Sequence, residues 1–140
     1  MTERADLLAK ASKPAEEALR LHAYYKGKMQ TMPKCAIRGL EDFSVWYTPG
    51  VAAPCKAIQA DPDLIYDYTN KGNLVAVVSN GTAILGLGNL GALAAKPVME
   101  GKGALFKRFA DIDAMDLLVD TTDVDAFINS VRYLGPSFGG

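Results

Sequence analysis

The chain has 140 residues, 49% of them hydrophobic and 22% charged, with 15 basic side chains against 16 acidic ones. This is one domain's worth, able to bury about two-thirds of the surface its unfolded form exposes, and the composition is that of an ordinary soluble protein. A net charge near zero gives no electrostatic footprint for a nucleic-acid or anionic-membrane partner, and neither is expected.

The apolar runs fall far short of the roughly 20 residues of a membrane span. MTERADLLAK is acidic where a signal peptide is basic, so a cytoplasmic protein is expected. Thr2 offers a modest helix cap, and ERADLLAKASKPAEEALRLHAYY has helical spacing and strong helix formers, predicting one or two helices broken near Pro14. The next stretch, KGKMQTMPKCAIRGLEDFSVWYTPG, mixes Gly, Pro and short β-favouring pieces and predicts an extended arm with a brief strand. TPGVAAPCKAIQADPDLIYDYT predicts a helix entered through Pro49 and closed near Asp61, then a short turn after Pro62.

NLVAVVSNGTAILGLG carries the strongest β signal: two apolar runs flank an Asn-Gly pair, which favours a hairpin turn. A helix over NLGALAAKPVMEGKGALFKRFA follows, with a joint expected at Pro97, and then a short buried strand at LLVD. Thr122 is expected to cap a last helix whose Phe127, Ile128, Val131 and Leu134 share one face, before PSFGG closes the chain as a loop. Neither repeats nor low-complexity segments interrupt this α/β pattern.

Gly86, Gly88 and Gly91 have the GxGxxG spacing with which dinucleotide-binding folds approach a pyrophosphate. That motif needs a parallel strand running into the first glycine, a helix opening at the last and an acidic residue ending the next strand. The expected hairpin at Asn80–Gly81 is antiparallel and does not suit a βαβ unit. Asp111 precedes the next strand, Asp120 lies too far along, and only 20 residues follow it. The glycines are therefore expected to permit close packing and a tight turn at a helix entrance. Asp111 and Asp113 read as a polar turn, His22 as a helix-surface residue without a metal role, and Cys35 and Cys55, with no CxxC spacing, as ordinary thiols.

VWYTPGVAAPC, KGNLVAVVSNGTAILGLGNLG and KPVMEGKGALFKRFADIDA, in this order and spacing, closely resemble the N-terminal domain of malic enzymes, the small bacterial and archaeal type above all. The resemblance covers roughly Leu21 to Gly140. It implies a malic enzyme N-terminal domain, an α/β unit with a small sheet surrounded by helices and an N-terminal helical arm, rather than a complete Rossmann domain. The arm and first helices would be available for homodimer contacts.

Such enzymes oxidise malate with NAD or NADP and decarboxylate the product to pyruvate and carbon dioxide with a divalent metal, Mg2+ or Mn2+. Their motifs place a general acid at Tyr47 and a general base at Lys102. A lysine base needs its ordinary value of about 10.4 lowered toward about 7 to 8, whereas a tyrosine near 10 keeps the proton it must deliver.

Two departures from the family pattern stand out. Ala83 occupies the place of an arginine that holds a substrate carboxylate in animal and plant members, and Asn89 replaces a frequent aspartate. Members continue past FGG with INLEDI, whose Glu-Asp pair begins the metal site, and then with an NAD-binding domain. The resemblance thus assigns this chain no metal or cofactor ligands and implies that alone it neither binds them tightly nor turns over malate. The sequence is also compatible with a stand-alone nucleotide-binding domain using Gly86, Gly88 and Gly91, and with a non-catalytic dimerisation module.

Overall fold

The computed structural model describes the backbone from Glu3 to Gly140 and the side chains from Pro14 onward. The cap expected at Thr2 lies outside these residues. Eight regular elements follow in order: α1 (Glu3–Tyr25), α2 (Phe43–Trp46), α3 (Ala52–Ala60), α4 (Ile65–Tyr68), β1 (Leu74–Ser79), α5 (Ala92–Ala110), β2 (Asp113–Leu118) and α6 (Val124–Leu134). Short 3-10 turns precede α2, α4, β1 and the C-terminus.

The centre is a β1–α5–β2 unit. β1 and β2 pair in parallel, with Leu74 opposite Asp113 and Ser79 opposite Leu118. The apolar run LVAVV suits this, because a parallel strand is buried on both faces and reads as continuous hydrophobics. α5 lies across both strands and most closely on β2. It sets Ala95 and Met99 against Ile84, with Val77, Val98 and Leu118 packed around them. Each large side chain buried here contributes about 1.5–3 kcal/mol.

The hairpin expectation was wrong, and the Asn-Gly pair explains how. Asn80 does not turn the chain back along β1. Its Oδ1 accepts from the Thr82 N–H and hydroxyl at 3.3 and 2.8 Å, and its amide donates to Thr121 O at 3.1 Å. Gly81 takes φ +75° and accepts from Leu90 N–H at 3.2 Å, clasping the base of the loop that leads to α5. A Cβ on Gly81 would stand 2.0 Å from the Gly91 carbonyl oxygen. A local turn signal has been used to close a loop instead of a hairpin, so the objection it raised to a βαβ unit falls.

Both helix joints are also absent. α1 continues through Pro14 and α5 through Pro97. In α5 the missing donor is outweighed by the packing of Ala95 and Met99 on either side. β2 begins at Asp113, before LLVD, and α6 is capped by Asp123, whose carboxylate accepts from Ala126 N–H at 2.6 Å, one residue beyond Thr122. The closing segment is more than a loop. After a 3-10 turn, Gly139 N–H donates to Leu74 O at 2.8 Å and Gly140 O accepts from Ala76 N–H at 2.9 Å, along the edge of β1 away from β2.

The N-terminal half is built differently. Residues 26–39 form an irregular arm, turning at Lys26 and bending at Gly27–Lys28, Lys34–Cys35 and Gly39, and the brief strand expected there is absent among the described residues; α2, α3 and α4 pack chiefly on the turns beside them. Leu19, Tyr24, Tyr25, Met32, Leu40 and Val45 are exposed. A folded monomer of 15.0 kDa exposes about 7,000 Å². This chain exposes 10917 Å², roughly 3,900 Å² above that scaling. Among the described residues no helix is long and apolar enough to cross a membrane.

Candidate active site

Tyr47 stands just after the single turn of α2, its N–H donating to Phe43 O at 2.8 Å and its carbonyl accepting from Val51 N–H at 2.7 Å. The backbone is thus fixed from both sides, while Tyr47 as a whole is 67% exposed and Val45 and Trp46 beside it are exposed as well.

Lys102 lies midway along α5. Its neighbours on that helix are paired. Lys96 bonds to Asp116 of β2 and stands 4.0 Å from Glu100, and Lys107 reaches Asp111 at 2.6 Å and Asp113 at 3.1 Å. Hydrogen bonding to Asp111, then Asp113, raises the Lys107 pKa. The Lys107 hydrogen bond is the main cause holding Asp113 below its ordinary value. These aspartates are a polar helix-to-strand turn, as the sequence indicated. Lys102 alone of the three lysines on α5 has no hydrogen-bond or ion-pair partner among the described residues.

Glu100 explains how the arm meets this helix. Its carboxylate accepts from Lys28 N–H at 2.7 Å, laying the arm along α5 beside Gly101 and Gly103. His22, on the surface of α1, is close to Ala18 O through Nδ1 at 2.7 Å and to the Lys28 amine through Nε2, a partner that sequence reasoning missed. Cys35 and Cys55 are free thiols.

The glycine loop differs from its expectation. Gly86, Gly88 and Gly91 take φ +77°, +78° and +82°, which explains the residue type. Cβ atoms at these positions would meet open space, so close packing is not their reason. Gly91 is the N-cap of α5 and supplies no side-chain cap. The loop therefore runs from the end of a parallel strand to an open helix N-terminus, the arrangement a phosphate-binding turn needs. It departs from the dinucleotide pattern in the six residues between Ser79 and Gly86 and in the exposed Leu85, Leu87 and Leu90.

Chemically, an unpaired amine and an exposed phenol can move protons, but neither hydrogen-bonds the other among the described residues. The same residues contain no group of three His, Cys, Asp or Glu able to hold a metal ion.

Residues 26–138 match the family model described as malic enzyme, N-terminal domain. The chain is 61% identical over 133 residues to an NADP-dependent malic enzyme of Rhizobium meliloti, covering 94% of this chain and 18% of that protein. It is 54% identical to the bifunctional malic/malolactic enzyme of Bacillus subtilis, covering 89% and 30%. Among solved structures it superposes on the NAD-dependent malic enzyme of Thermotoga maritima with a TM-score of 0.84 at 48% identity, over 88% of this chain and 33% of that one. The malic enzyme of Entamoeba histolytica gives 0.94 at 36% identity, over 99% and 30%. The chain thus spans less than a third of the length of these curated relatives. The match to the N-terminal-domain model over most of the chain, with these identities, places it in the malic enzyme family.

Proposed function

We propose that this chain is the substrate-side part of an enzyme that oxidises malate with NAD or NADP and decarboxylates it to pyruvate. In this reading Lys102 is the general base and Tyr47 the general acid. The observation that carries it is the isolation of Lys102: on a helix whose other lysines are committed to carboxylates, this amine is left free for substrate. Lys102 takes the C2 hydroxyl proton of malate; a nicotinamide cofactor, when bound, would supply the acceptor for the C2 hydride. After carbon dioxide is lost, Tyr47 gives its proton to the C3 carbon of the enolate, and exchange with Lys102 restores both groups.

Relatives named for NAD and for NADP both match, which supports a nicotinamide cofactor without choosing between them. A homodimer belongs to the same reading, supported by the large exposed surface. In the full-length protein, Lys102→Ala is expected to lower kcat for malate-dependent NAD(P)H formation about 10²–10⁴-fold. Tyr47→Phe is expected to slow enolpyruvate ketonisation more than NAD(P)H formation. An unchanged kcat for Lys102→Ala removes the assignment.

A second reading, nucleotide binding by the Gly86–Gly91 loop, is favoured by the parallel β1–α5–β2 unit and the open N-terminus of α5. Tight NAD binding by the 140-residue chain that Gly88→Val abolishes would establish it; no binding removes it.

A further inference from the structure

Lys71, in the 3-10 turn before β1, is bound to a segment 64 to 67 residues further on. Its ammonium donates to Gly135 O at 2.8 Å and to Phe138 O at 2.5 Å, and it stands 5.6 Å from the centre of the Tyr66 ring. Both acceptors lie at the carboxyl end of α6 and its closing turn, a negative pole that favours a cation. The backbones also meet closely here. A Cβ on Gly139 would stand 2.5 Å from Lys71 O, and one on Gly72 would stand 2.3 Å from Tyr66 O.

This clamp sets the direction of the chain that leaves it. Gly139 N–H donates to Leu74 O and Gly140 O accepts from Ala76 N–H, so the segment advances with β1 along the edge that β2 leaves free. Next along that edge, Val78 N–H has no backbone acceptor among the described residues. The relatives extend far past the matched region: 94% of this chain corresponds to 18% of the Rhizobium meliloti protein. In the longer protein, the residues that follow Gly140 are therefore the nearest chain for this edge.

We propose that Lys71 is a positioning residue for the reaction put forward above: by holding Gly135 O and Phe138 O, it starts a third parallel strand at Gly139 and aims the following chain at the carboxyl end of β1. With β2 on one side of β1 and this strand on the other, the order of strands reverses at β1. Open parallel sheets bind ligands in the crevice outside the strand ends at such a point. The loop from Asn80 to Gly91, which leads into the helix of Lys102, leaves the sheet there. Lys71 acts through the course of the chain and does not itself meet substrate. Its effect on turnover rests on the malate reading; the clamp does not.

The test joins hydrogen exchange in the 140-residue chain with kinetics of the full-length protein. Lys71→Met keeps the length of the stem and donates nothing. It is expected to speed exchange of the Ala76 amide about tenfold, the loss that hydrogen bonds from a charged donor predict. The Val119 amide, bonded to Ser79 O on the opposite edge, is expected to be unchanged. Gly139→Val, which pushes the segment off Lys71 from the other side, should give the same pattern, and Lys71→Arg should retain protection. In the full-length protein, Lys71→Met is expected to lower kcat about tenfold while KM for malate moves less than about threefold. Equal acceleration at Ala76 and Val119 overturns the proposal, because Lys71 then only stabilises the fold. An unchanged Ala76 amide or an unchanged kcat overturns it as well. Full activity in Lys102→Ala, with the Ala76 pattern and the Lys71→Met loss of kcat both intact, would instead remove only the assignment of the base.

Discussion

The β1–α5–β2 unit and the chain before it are built on opposite principles. In the first, a parallel pair and one long helix enclose Ile84, Ala95 and Met99, and ion pairs such as Lys96–Asp116 fix the helix register. In the second, short helical pieces hold their own backbone bonds but leave Leu40, Val45, Trp46 and Tyr47 facing solvent. The candidate base sits on the rigid part and the candidate acid on the part without a core. Local hydrogen bonding alone can therefore hold a residue such as Tyr47 in place, but only burial makes a segment resist opening.

The sharpest way to break the contrast is at Gly81. Gly81→Ala adds a methyl 2.0 Å from the Gly91 carbonyl in a left-handed conformation, and is expected to cost about 3 kcal/mol or more in chemical denaturation. Next comes Met99→Ala, which opens a cavity in the small core and should cost about 2–3 kcal/mol. Gly88→Ala has the same backbone sign but open space around it, so only about 1 kcal/mol is expected. On the other side, Leu40→Ser should shift stability by less than about 0.5 kcal/mol in the monomer, because Leu40 is 86% exposed. A larger loss there would show that the N-terminal half has a core after all.

The smallest effect is with pH. Asp113 is held below its ordinary value of about 3.9 mainly by its hydrogen bond to Lys107. Its stabilisation is present above that value and fades as pH falls through the lower folded one. The pair is solvent-screened, so the slope is slight. Lys107→Met should flatten it in acid titrations monitored by circular dichroism, and an unchanged slope would assign the acid sensitivity to other carboxylates.

Much of this was legible in the sequence where one periodicity decided the outcome. α3, α5 and α6 follow from spacing and from Asp61, Gly91 and the polar run before Val124. Parallel pairing was not legible, because Asn80–Gly81 has the local chemistry of a hairpin and only the partner strand, some forty residues on, decides its use. Pro97 misled for a related reason, as a lost helical bond is a local cost and the packing of Met99 is not. Tyr47 and Lys102 came from family likeness. The special status of Lys102 emerges only when the fold has paired Lys96 with Asp116 and Lys107 with Asp113.

Hydrogen exchange resolved by residue in the 140-residue chain, under conditions where it is monomeric, tests most directly whether a self-sufficient unit carries Lys102 while the acid sits on a segment without a core. Amides of β1, β2 and residues 96–106 are expected to exchange only through global unfolding, and those of residues 43–68 through local openings at least 10²-fold more often. Equal protection across both regions would contradict the account.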